Sequence, residues 1–415
     1  MAVIRTFKAL RPAKDSAKLI ASVPYDVVDR NEAKELTKKN SLSFLKITRS
    51  EVDLDDTVNA YSPEVYKKAK SNLEKMINEG HLQSDSIAHF YLYKLEMEGR
   101  TQIGIAATFS VDDYEKDVIL KHEKTRKEKE DDRTNHIITT GAQTGAVFLT
   151  YKSNKNINEI VNITISQEDP IYDFTSEDGI KHTIWILPGK YNYAIIDELS
   201  KVKNLYIADG HHRAASAGRT GTIKKNLNPN HTSKEEYNYF LAVLFPAEQL
   251  KILPYNRVVS DLNGKNKEEF LNEVSIKFNI EKTTIKEPVQ KRTFCMYLDC
   301  EWYLLKLRDS ISASISLSES VSETLDVSIL QDFLLNPVLG INDPRTNKRI
   351  DFTGGIRGTK ELEKLVDTGK AQVAFSLYPV SIEDLMNISD AGEIMPPKST
   401  WFEPKLRDGL LIHLI

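Results

Sequence analysis

The sequence predicts an α+β fold, because strand patterns and well-capped helix patterns are mixed along the chain. Two hairpins and several helices with recognisable first residues are the observations behind this prediction. The chain has 415 residues, which is long for one compact core. We therefore expect an N-terminal region over residues 1–260 and a second, mixed α/β lobe over residues 261–415.

Two helices in the N-terminal region are marked by their capping residues. Asp29 followed by Glu32 has the pattern of a capping box, and the helix should run to about residue 40. Ser62 and Pro63 begin a longer helix that Gly80 should end. The apolar face expected for this second helix consists of Val65, Ala69, Leu73, Met76 and Ile77.

Strands are predicted where apolar residues alternate or form short runs. Residues 89–95 and 102–110 should form a hairpin around Gly99, and residues 292–298 and 302–307 a second one. Further strands are expected at 146–151, 183–187, 205–208, 240–245, 252–259 and 371–377. Further helices are expected at 325–335, 359–366 and 381–386.

Composition excludes several classes of function. The formal net charge is −4 and the lysines alternate with acids, so we expect no nucleic-acid partner. Cys295 and Cys300 do not form a CxxC pair, which argues against structural zinc and fits a reducing compartment. The first residues lack a signal-peptide pattern, and the longest apolar run, 239–246, is too short to span a bilayer. We therefore expect a cytoplasmic protein with no membrane partner.

The segment 206–215 has the pattern of a phosphate site. A strand ends, Gly210 permits a tight turn, and a helix begins. A helix start presents unpaired N–H groups and a partial positive charge, and an arginine in its first turn can bind phosphate oxygens. The residues expected to bind phosphate are Asp209, Gly210, His211, His212 and Arg213. The alternative interpretation is that Asp209 and Gly210 form only a turn and a helix cap.

A second polar segment covers residues 120–133. His122, Glu123, Thr125 and Arg126 combine acid, base and phosphate-type donors, and Arg133 lies about two turns further on. The pattern HExxR lacks the second histidine of a zinc-protease helix. The remaining charges of this run are typical of a solvated helix.

Two loops supply further candidates. Asp26 follows Pro24 and Tyr25 just before a capped helix, where an aspartate can act as a general base. Residues 394–405 contain three prolines, which exclude regular secondary structure and suggest a site wall. Residues 351–358 are rich in glycine, but the chain has no Walker loop, so a kinase would need a different fold.

Together these motifs resemble a bacterial and archaeal family long described as a domain of unknown function. Its marks lie at residues 24–27, 122–125, 207–213 and 395–402, and the match runs from Phe7 almost to the C-terminus. Residues 209–213 resemble the phosphate-binding box of the ParB/sulfiredoxin superfamily, in the form that free serine kinases carry. His211 stands where sulfiredoxins have cysteine, which disfavours sulfinic-acid reduction.

The resemblance implies a ParB/sulfiredoxin-like nucleotide-binding domain with ATP or ADP and Mg²⁺ as cofactors. The implied reaction transfers the γ-phosphate of ATP to a free hydroxyl, that of L-serine, and gives O-phospho-L-serine. Free serine kinases carry a glutamate base in a proline-containing loop. Asp26 is the matching position here, and Asp29 and Glu123 are alternative bases.

The resulting assignments fall into three groups. The expected catalytic residues are Asp26, His212 and Glu123. The expected nucleotide-binding residues are Asp209, Gly210, His211, His212, Arg213, Arg126 and Arg133. The expected substrate-binding residues are Tyr25, His122, Thr125, Arg257, Lys398, Ser399, Thr400 and Lys405.

Three matters stay open at this point. The sequence identifies neither the Mg²⁺ ligands nor the oligomeric state. A nucleotide-binding regulatory protein without turnover would share the phosphate box but would not need Asp26. Another phosphotransferase or a nucleotide hydrolase on the same fold is the third alternative.

Overall fold

The computed structural model describes residues 2–318 and 320–415, which form two compact units. The first unit comprises the residues up to Lys121, together with Thr125–Leu250 and Pro404–Ile415. The second unit comprises His122–Lys124 and Lys251–Glu403. The chain thus leaves the first unit after Leu250 and returns to it for its last residues. The division into a region of residues 1–260 and a lobe of residues 261–415 stays a prediction.

The first unit contains a mixed sheet of nine strands with helices around it. From one edge to the other the main strands are Ile119–Leu120, Leu205–Asp209, Val147–Tyr151, Tyr239–Pro246, Arg100–Ser110, Tyr91–Met97, Lys181–Ile186 and Tyr172–Thr175, and Ile4–Arg5 pairs with Arg100–Ser110. Two neighbouring pairs are parallel and the others are antiparallel. The confirmed hairpin between Tyr91–Met97 and Arg100–Ser110 turns at Glu98 and Gly99, both of which have positive φ.

A smaller sheet of four strands lies in the same unit. Its order is Leu82–Ser84, Ala9–Pro12, Ile412–Leu414 and Ala142–Gln143, so the last strand of the chain is held between two early segments. The α-helices of this unit are Ala17–Ile20, Arg30–Lys39, Leu45–Thr48, Pro63–Asn78, Val111–Glu115, Lys127–Thr140, Lys155–Gln167, Asn192–Ser200 and His211–Leu227.

The second unit contains an antiparallel sheet of six strands. Their order is Phe278–Lys282, Glu301–Leu307, Thr293–Leu298, Val373–Leu377, Tyr255–Val259 and Ile350–Gly354. Lys251–Leu253 and Trp401–Glu403 form a separate pair. The helical segments are Lys267–Ser275, Asp309–Ser316, Asp326–Leu330, Gln331–Leu335, Gly358–Asp367 and Ile382–Asp390. Cys295 is buried in the core of this unit.

The predicted helix starts and ends are largely confirmed. Asp29 and Glu32 form the capping box, and the helix is Arg30–Lys39. Ser62 occupies the N-cap of Pro63–Asn78, but its side chain makes no capping hydrogen bond. The prediction of the apolar face was wrong at Ile77, because this side chain is 38% exposed.

Three elements differ from the sequence prediction. The segment 394–405, expected to lack regular secondary structure, forms the short strand Trp401–Glu403, which pairs with Lys251–Leu253. The strand expected over 252–259 is divided at Pro254, because a proline has no N–H to donate to a sheet. The helix expected over 325–335 is α-helical only to Leu330 and continues as a wider π-helical turn over Gln331–Leu335. Within the described part of the chain, none of the helices combines the length and apolarity needed to cross a membrane.

Candidate functional site

The turn at Gly210 joins a sheet strand directly to a helix. The strand Leu205–Asp209 ends, Gly210 adopts a φ of 92°, and the helix His211–Leu227 begins. This conformation is readily accessible only to glycine. A Cβ at Gly210 would also lie 2.9 Å from Nε of Arg213. The predicted strand–turn–helix arrangement is confirmed.

A second helix begins beside the first. Arg126 is the N-cap of the helix Lys127–Thr140, and its backbone N–H donates a hydrogen bond of 3.0 Å to Nε2 of His212. One turn later, the hydroxyl of Ser216 donates to the carbonyl of Glu130 at 3.1 Å. Both contacts move four residues toward the C-terminus, from Arg126 to Glu130 in one helix and from His212 to Ser216 in the other. The two helices are therefore parallel, and their starts are adjacent. Two partial positive charges therefore lie at one place.

The charged side chains near this turn form a compact group. The Arg213 guanidinium donates to the carbonyl of Ala146 and, at 3.1 Å, to Oδ2 of Asp209. Nζ of Lys405 lies 3.7 Å from the same carboxylate oxygen. Asp209 is thus placed between two cations, and an anion at the helix start would lie near all three charges.

The two adjacent histidines have different surroundings. His211 is buried at 6% exposure, whereas His212 is partly exposed and accepts the hydrogen bond from Arg126. Acceptance requires that Nε2 carries no proton, so the neutral ring holds its proton on Nδ1. His212 is therefore the histidine that links the two helix starts.

Arg133 packs on Tyr25 rather than facing solvent. Its Cζ lies 4.1 Å from the centroid of the Tyr25 ring, and its guanidinium pairs with Asp132 at 2.9 Å. Asp132 also accepts a hydrogen bond of 3.0 Å from the hydroxyl of Tyr66. Arg133 thus belongs to a buried network in the wall of the site.

A small cavity lies next to this network. Its lining includes Tyr25, Arg133, Gly145, Arg213 and Asp408, and its volume is about 30 Å³. A space of this size accommodates one or two water molecules but not a nucleotide. A polyphosphate would therefore lie at the helix starts, outside this cavity.

Asp408 is a site residue that the sequence analysis missed. It is 3% exposed, and its backbone exchanges two hydrogen bonds with that of Ser22, at 3.1 and 2.9 Å. Burial raises the pKa of its carboxyl group to about 7, while Arg213 and Arg133 oppose the shift. The only local signal was the pair Asp408-Gly409, which is typical of an ordinary turn.

Asp26 is exposed and lies close to these buried charges. Its negative charge raises the pKa of Asp408, although burial is the larger cause. Burial alone would lower the pKa of Arg213, but the charges of Asp209 and Asp26 raise it. An exposed carboxylate thus stands next to a buried arginine and a buried carboxyl group.

Thr125, a predicted substrate-binding residue, lies just before the helix Lys127–Thr140. The hydroxyl of Thr125 donates to Oε2 of Glu130 at 3.1 Å. This contact ties the residue before the Arg126 cap to the first turn of the helix that follows.

The other predicted residues belong to the second unit. His122 is buried, its carbonyl accepts from the backbone N–H of Met395 at 2.8 Å, and its Nε2 lies 3.5 Å from the hydroxyl of Thr400. Arg257 donates to the carbonyl of Pro397 at 3.4 Å. The structure therefore groups His122, Glu123, Arg257, Lys398, Ser399 and Thr400 in the second unit.

The fold and the paired helix starts define a mixed α/β protein with a candidate anion site. The chain belongs to the family described as "Protein of unknown function (DUF1015)", whose model matches residues 4–328. The resemblance to a family of unknown function is thereby confirmed. None of the curated proteins compared with the sequence matches it.

The solved structures that match the chain are distant in sequence, at 11–13% identity. A conserved hypothetical protein from Pyrococcus furiosus is 13% identical with a TM-score of 0.35, covering 75% of this chain and 95% of its own. A free serine kinase in complex with AMP is 12% identical with a TM-score of 0.36, covering 75% and 92%. SbnI with a C-terminal truncation, from Staphylococcus aureus, is 11% identical with a TM-score of 0.39, covering 73% and 85%. We draw no functional conclusion from likeness at this level.

Proposed function

We propose that the protein is a small-molecule kinase that transfers the γ-phosphate of ATP to the hydroxyl of L-serine. The observation that carries this proposal is the pair of parallel helix starts joined by Arg126 and His212. Adjacent helix starts attract phosphate through their N–H groups and their partial charges. The motif at residues 209–213, which resembles the phosphate box of free serine kinases, supports the same assignment and a ParB/sulfiredoxin-like nucleotide domain.

Nucleotide binding uses the charges around the Gly210 turn. The phosphates lie against the start of the helix His211–Leu227, with Arg213 and Lys405 supplying positive charge. Phosphoryl transfer depends mainly on positioning and on charge neutralisation, both of which this arrangement favours. ADP is an alternative phosphoryl donor, and we place the reaction in the cytoplasm.

The carboxylates near the turn are compatible with Mg²⁺ that arrives with the nucleotide. The described residues contain no group of three or more His, Cys, Asp or Glu side chains that could hold a metal. Mg²⁺ usually keeps several waters and binds through one or two carboxylates together with phosphates. Asp209, at the Gly210 turn, is suited to this role. The ion would neutralise charge on the phosphates.

Asp26 is the proposed general base. The serine oxygen forms a bond to the γ-phosphorus, the bond from that phosphorus to the β-bridging oxygen breaks, and the hydroxyl proton passes to Asp26. Asp26 is exposed, which leaves its carboxylate accessible to a hydroxyl group. The alternative base Asp29 is less suited, because its side chain accepts the backbone N–H of Glu32 at 2.8 Å as a helix cap.

The test is an incubation of the full chain with ATP, Mg²⁺ and a panel of amino acids and sugars. We expect the products O-phospho-L-serine and ADP when L-serine is the acceptor, and no product with the other members of the panel. Asp26→Asn should abolish transfer and retain ATP binding, whereas Asp29→Asn should retain both because asparagine also caps helices well.

Three other results would reject parts of the proposal. ATP binding without any product indicates the regulatory alternative. Product with another acceptor indicates a different phosphotransferase, and release of phosphate without an acceptor indicates a hydrolase. Transfer by Asp26→Asn would remove Asp26 from the mechanism.

A further inference from the structure

Arg257 is a buried arginine in the six-stranded sheet of the second unit. It lies in the strand Tyr255–Val259, opposite Phe352 on one side and Phe375 on the other, and it is 3% exposed. Its guanidinium donates to the carbonyls of Tyr255 and Pro397. Both partners are neutral.

No acidic side chain in the described residues pairs with Arg257. Three other arginines with little exposure each have one: Arg213 pairs with Asp209, Arg133 with Asp132 and Arg407 with Asp178. A buried charge without a counter-ion is unfavourable, because the carbonyl dipoles only partly replace the lost hydration. Consistent with this, burial lowers the pKa of the Arg257 guanidinium to about 9.

Arg257 and the loop beside it have defined contacts with their neighbours. Its Cζ lies 5.1 Å from the centroid of the Phe352 ring. The adjoining loop holds Lys398 at a φ of 56°, a conformation uncommon for a residue with a side chain, and the hydroxyl of Ser399 donates to the carbonyl of Pro396 at 2.6 Å. Strained residues of this kind concentrate at ligand sites.

A second positive charge stands close by. Nζ of Lys398 lies 3.5 Å from the hydroxyl of Tyr255 and 5.3 Å from the centroid of its ring. Tyr255 also contacts the Trp401 ring, with the centroids 5.0 Å apart. The guanidinium is thus accompanied by aromatic rings and by one exposed lysine.

We propose that Arg257 anchors a binding site for a small carboxylate in the second unit, with Lys398 as its accessory cation. Lys398 is exposed and solvated, so the buried guanidinium is the charge that needs a counter-ion, and a monoanionic carboxylate supplies one negative charge. The planar fork of arginine also matches the two oxygens of a carboxylate. Arg257 and Lys398 were expected to bind substrate, and this proposal gives that expectation a ligand class; its evidence is the buried arginine, so it stands whether or not the protein transfers phosphate.

The experiment measures the thermal midpoint of the full chain in chloride buffer of constant ionic strength. Acetate, L-lactate, L-serine and inorganic phosphate are the probes. A carboxylate that binds the folded state should raise the midpoint in a saturable way. Arg257→Met should lose this rise, and without ligand its own midpoint should equal or exceed that of the wild type, because an uncompensated charge has been removed.

Arg349→Met is the matched control, because Arg349 is paired with Asp261 in the same unit. It should lower the midpoint and keep the carboxylate response. If Arg257→Met does not fold, Arg257→Lys keeps the charge without the fork and should weaken the response. Arg213→Met should keep the carboxylate response. A failure of the nucleotide-binding proposal at the helix starts can therefore be told apart from a failure of the carboxylate site.

Three results would overturn the proposal. The first is no saturable rise in the wild type with any carboxylate. The second is a response to phosphate alone, which would contradict the carboxylate class. The third is an unchanged carboxylate response in Arg257→Met, or in Arg257→Lys where the former does not fold.

Discussion

The backbone N–H of Arg126 donates a hydrogen bond of 3.0 Å to Nε2 of His212. Each residue lies at the start of a helix, so this single bond fixes two helix starts next to each other. The bond joins residues 86 positions apart in the chain. The candidate anion site is therefore formed by two segments that are distant in the chain, and the sequence shows each segment only separately.

His212→Ala should weaken binding of ADP by about tenfold, because the N–H of Arg126 loses its acceptor and the helix starts are no longer held together. His212→Gln offers a side-chain oxygen in place of Nε2 and should bind ADP nearly as well as the wild type. Isothermal titration of the full chain measures both. Equal affinities for His212→Ala and the wild type would contradict the proposed role of this bond.

Gly145→Ala should destabilise the protein by about 1–3 kcal/mol, because its Cβ would lie 2.5 Å from Oδ1 of Asp408. Gly218→Ala is the control. Its Cβ would meet Tyr114 at 3.5 Å and Val111 at 3.8 Å, both ordinary contact distances, and alanine favours the helix interior. Urea unfolding followed by circular dichroism compares the two. A Gly145→Ala protein as stable as the wild type would show that Asp408 is not fixed by this close approach.

Asp408→Asn should stabilise the protein at pH 8 and have little effect at pH 4. Burial raises the pKa of Asp408 to about 7 in the folded state, whereas it is about 3.9 in an unfolded chain. The folded state keeps a proton that the unfolded state releases, so this group's contribution to stability is lost as pH rises from about 4 to 7. The gain expected at pH 8 is on the order of 1–4 kcal/mol.

Urea unfolding at several pH values tests this sign. Asp261→Asn is the control of opposite sign, since the hydrogen bond from Arg349, the largest cause, lowers the pKa of Asp261 to about 2. Its contribution is present above the unfolded pKa and is lost as pH falls toward 2, so this variant should be less stable than the wild type at pH 8. A difference between Asp408→Asn and the wild type that does not vary with pH would contradict the buried, proton-binding state of Asp408.

Asp29→Ala should lower the free energy of unfolding by about 1 kcal/mol, because it removes the capping box at the helix Arg30–Lys39. Ser62→Ala should change it by less than about half of that, since Ser62 stands at an N-cap but makes no capping bond. Unfolding in urea measures the pair. Equal losses in both variants would refute the distinction between these two caps.

Local features of this fold were predictable because their signals lie within a few residues of each other. The capping box at Asp29, the hairpin turn at Gly99 and the helix start after Gly210 each depend on a short segment. Ser381 and Asp384 form a further capping box at the start of the helix Ile382–Asp390, which was expected at 381–386. Such signals are legible in a short segment without knowledge of the rest of the chain.

The parts that were not predictable depend on distant contacts. Asp408 acquires its pKa from burial and from charges nearly two hundred residues or more away in the chain. His211 and His212 are adjacent and of the same residue type, so the sequence does not distinguish them. In the packed structure His212 accepts the hydrogen bond from Arg126, at the start of the helix Lys127–Thr140, whereas His211 is buried. Ile77 was misplaced because helical spacing does not show where the packed face ends.

The most direct test of the central claim is the crystal structure of the full chain soaked with ADP and Mg²⁺. We expect the diphosphate against the backbone N–H groups of residues 211–213, within reach of the helix that begins after Arg126. A diphosphate bound elsewhere, with the Gly210 turn facing away from it, would contradict the claim.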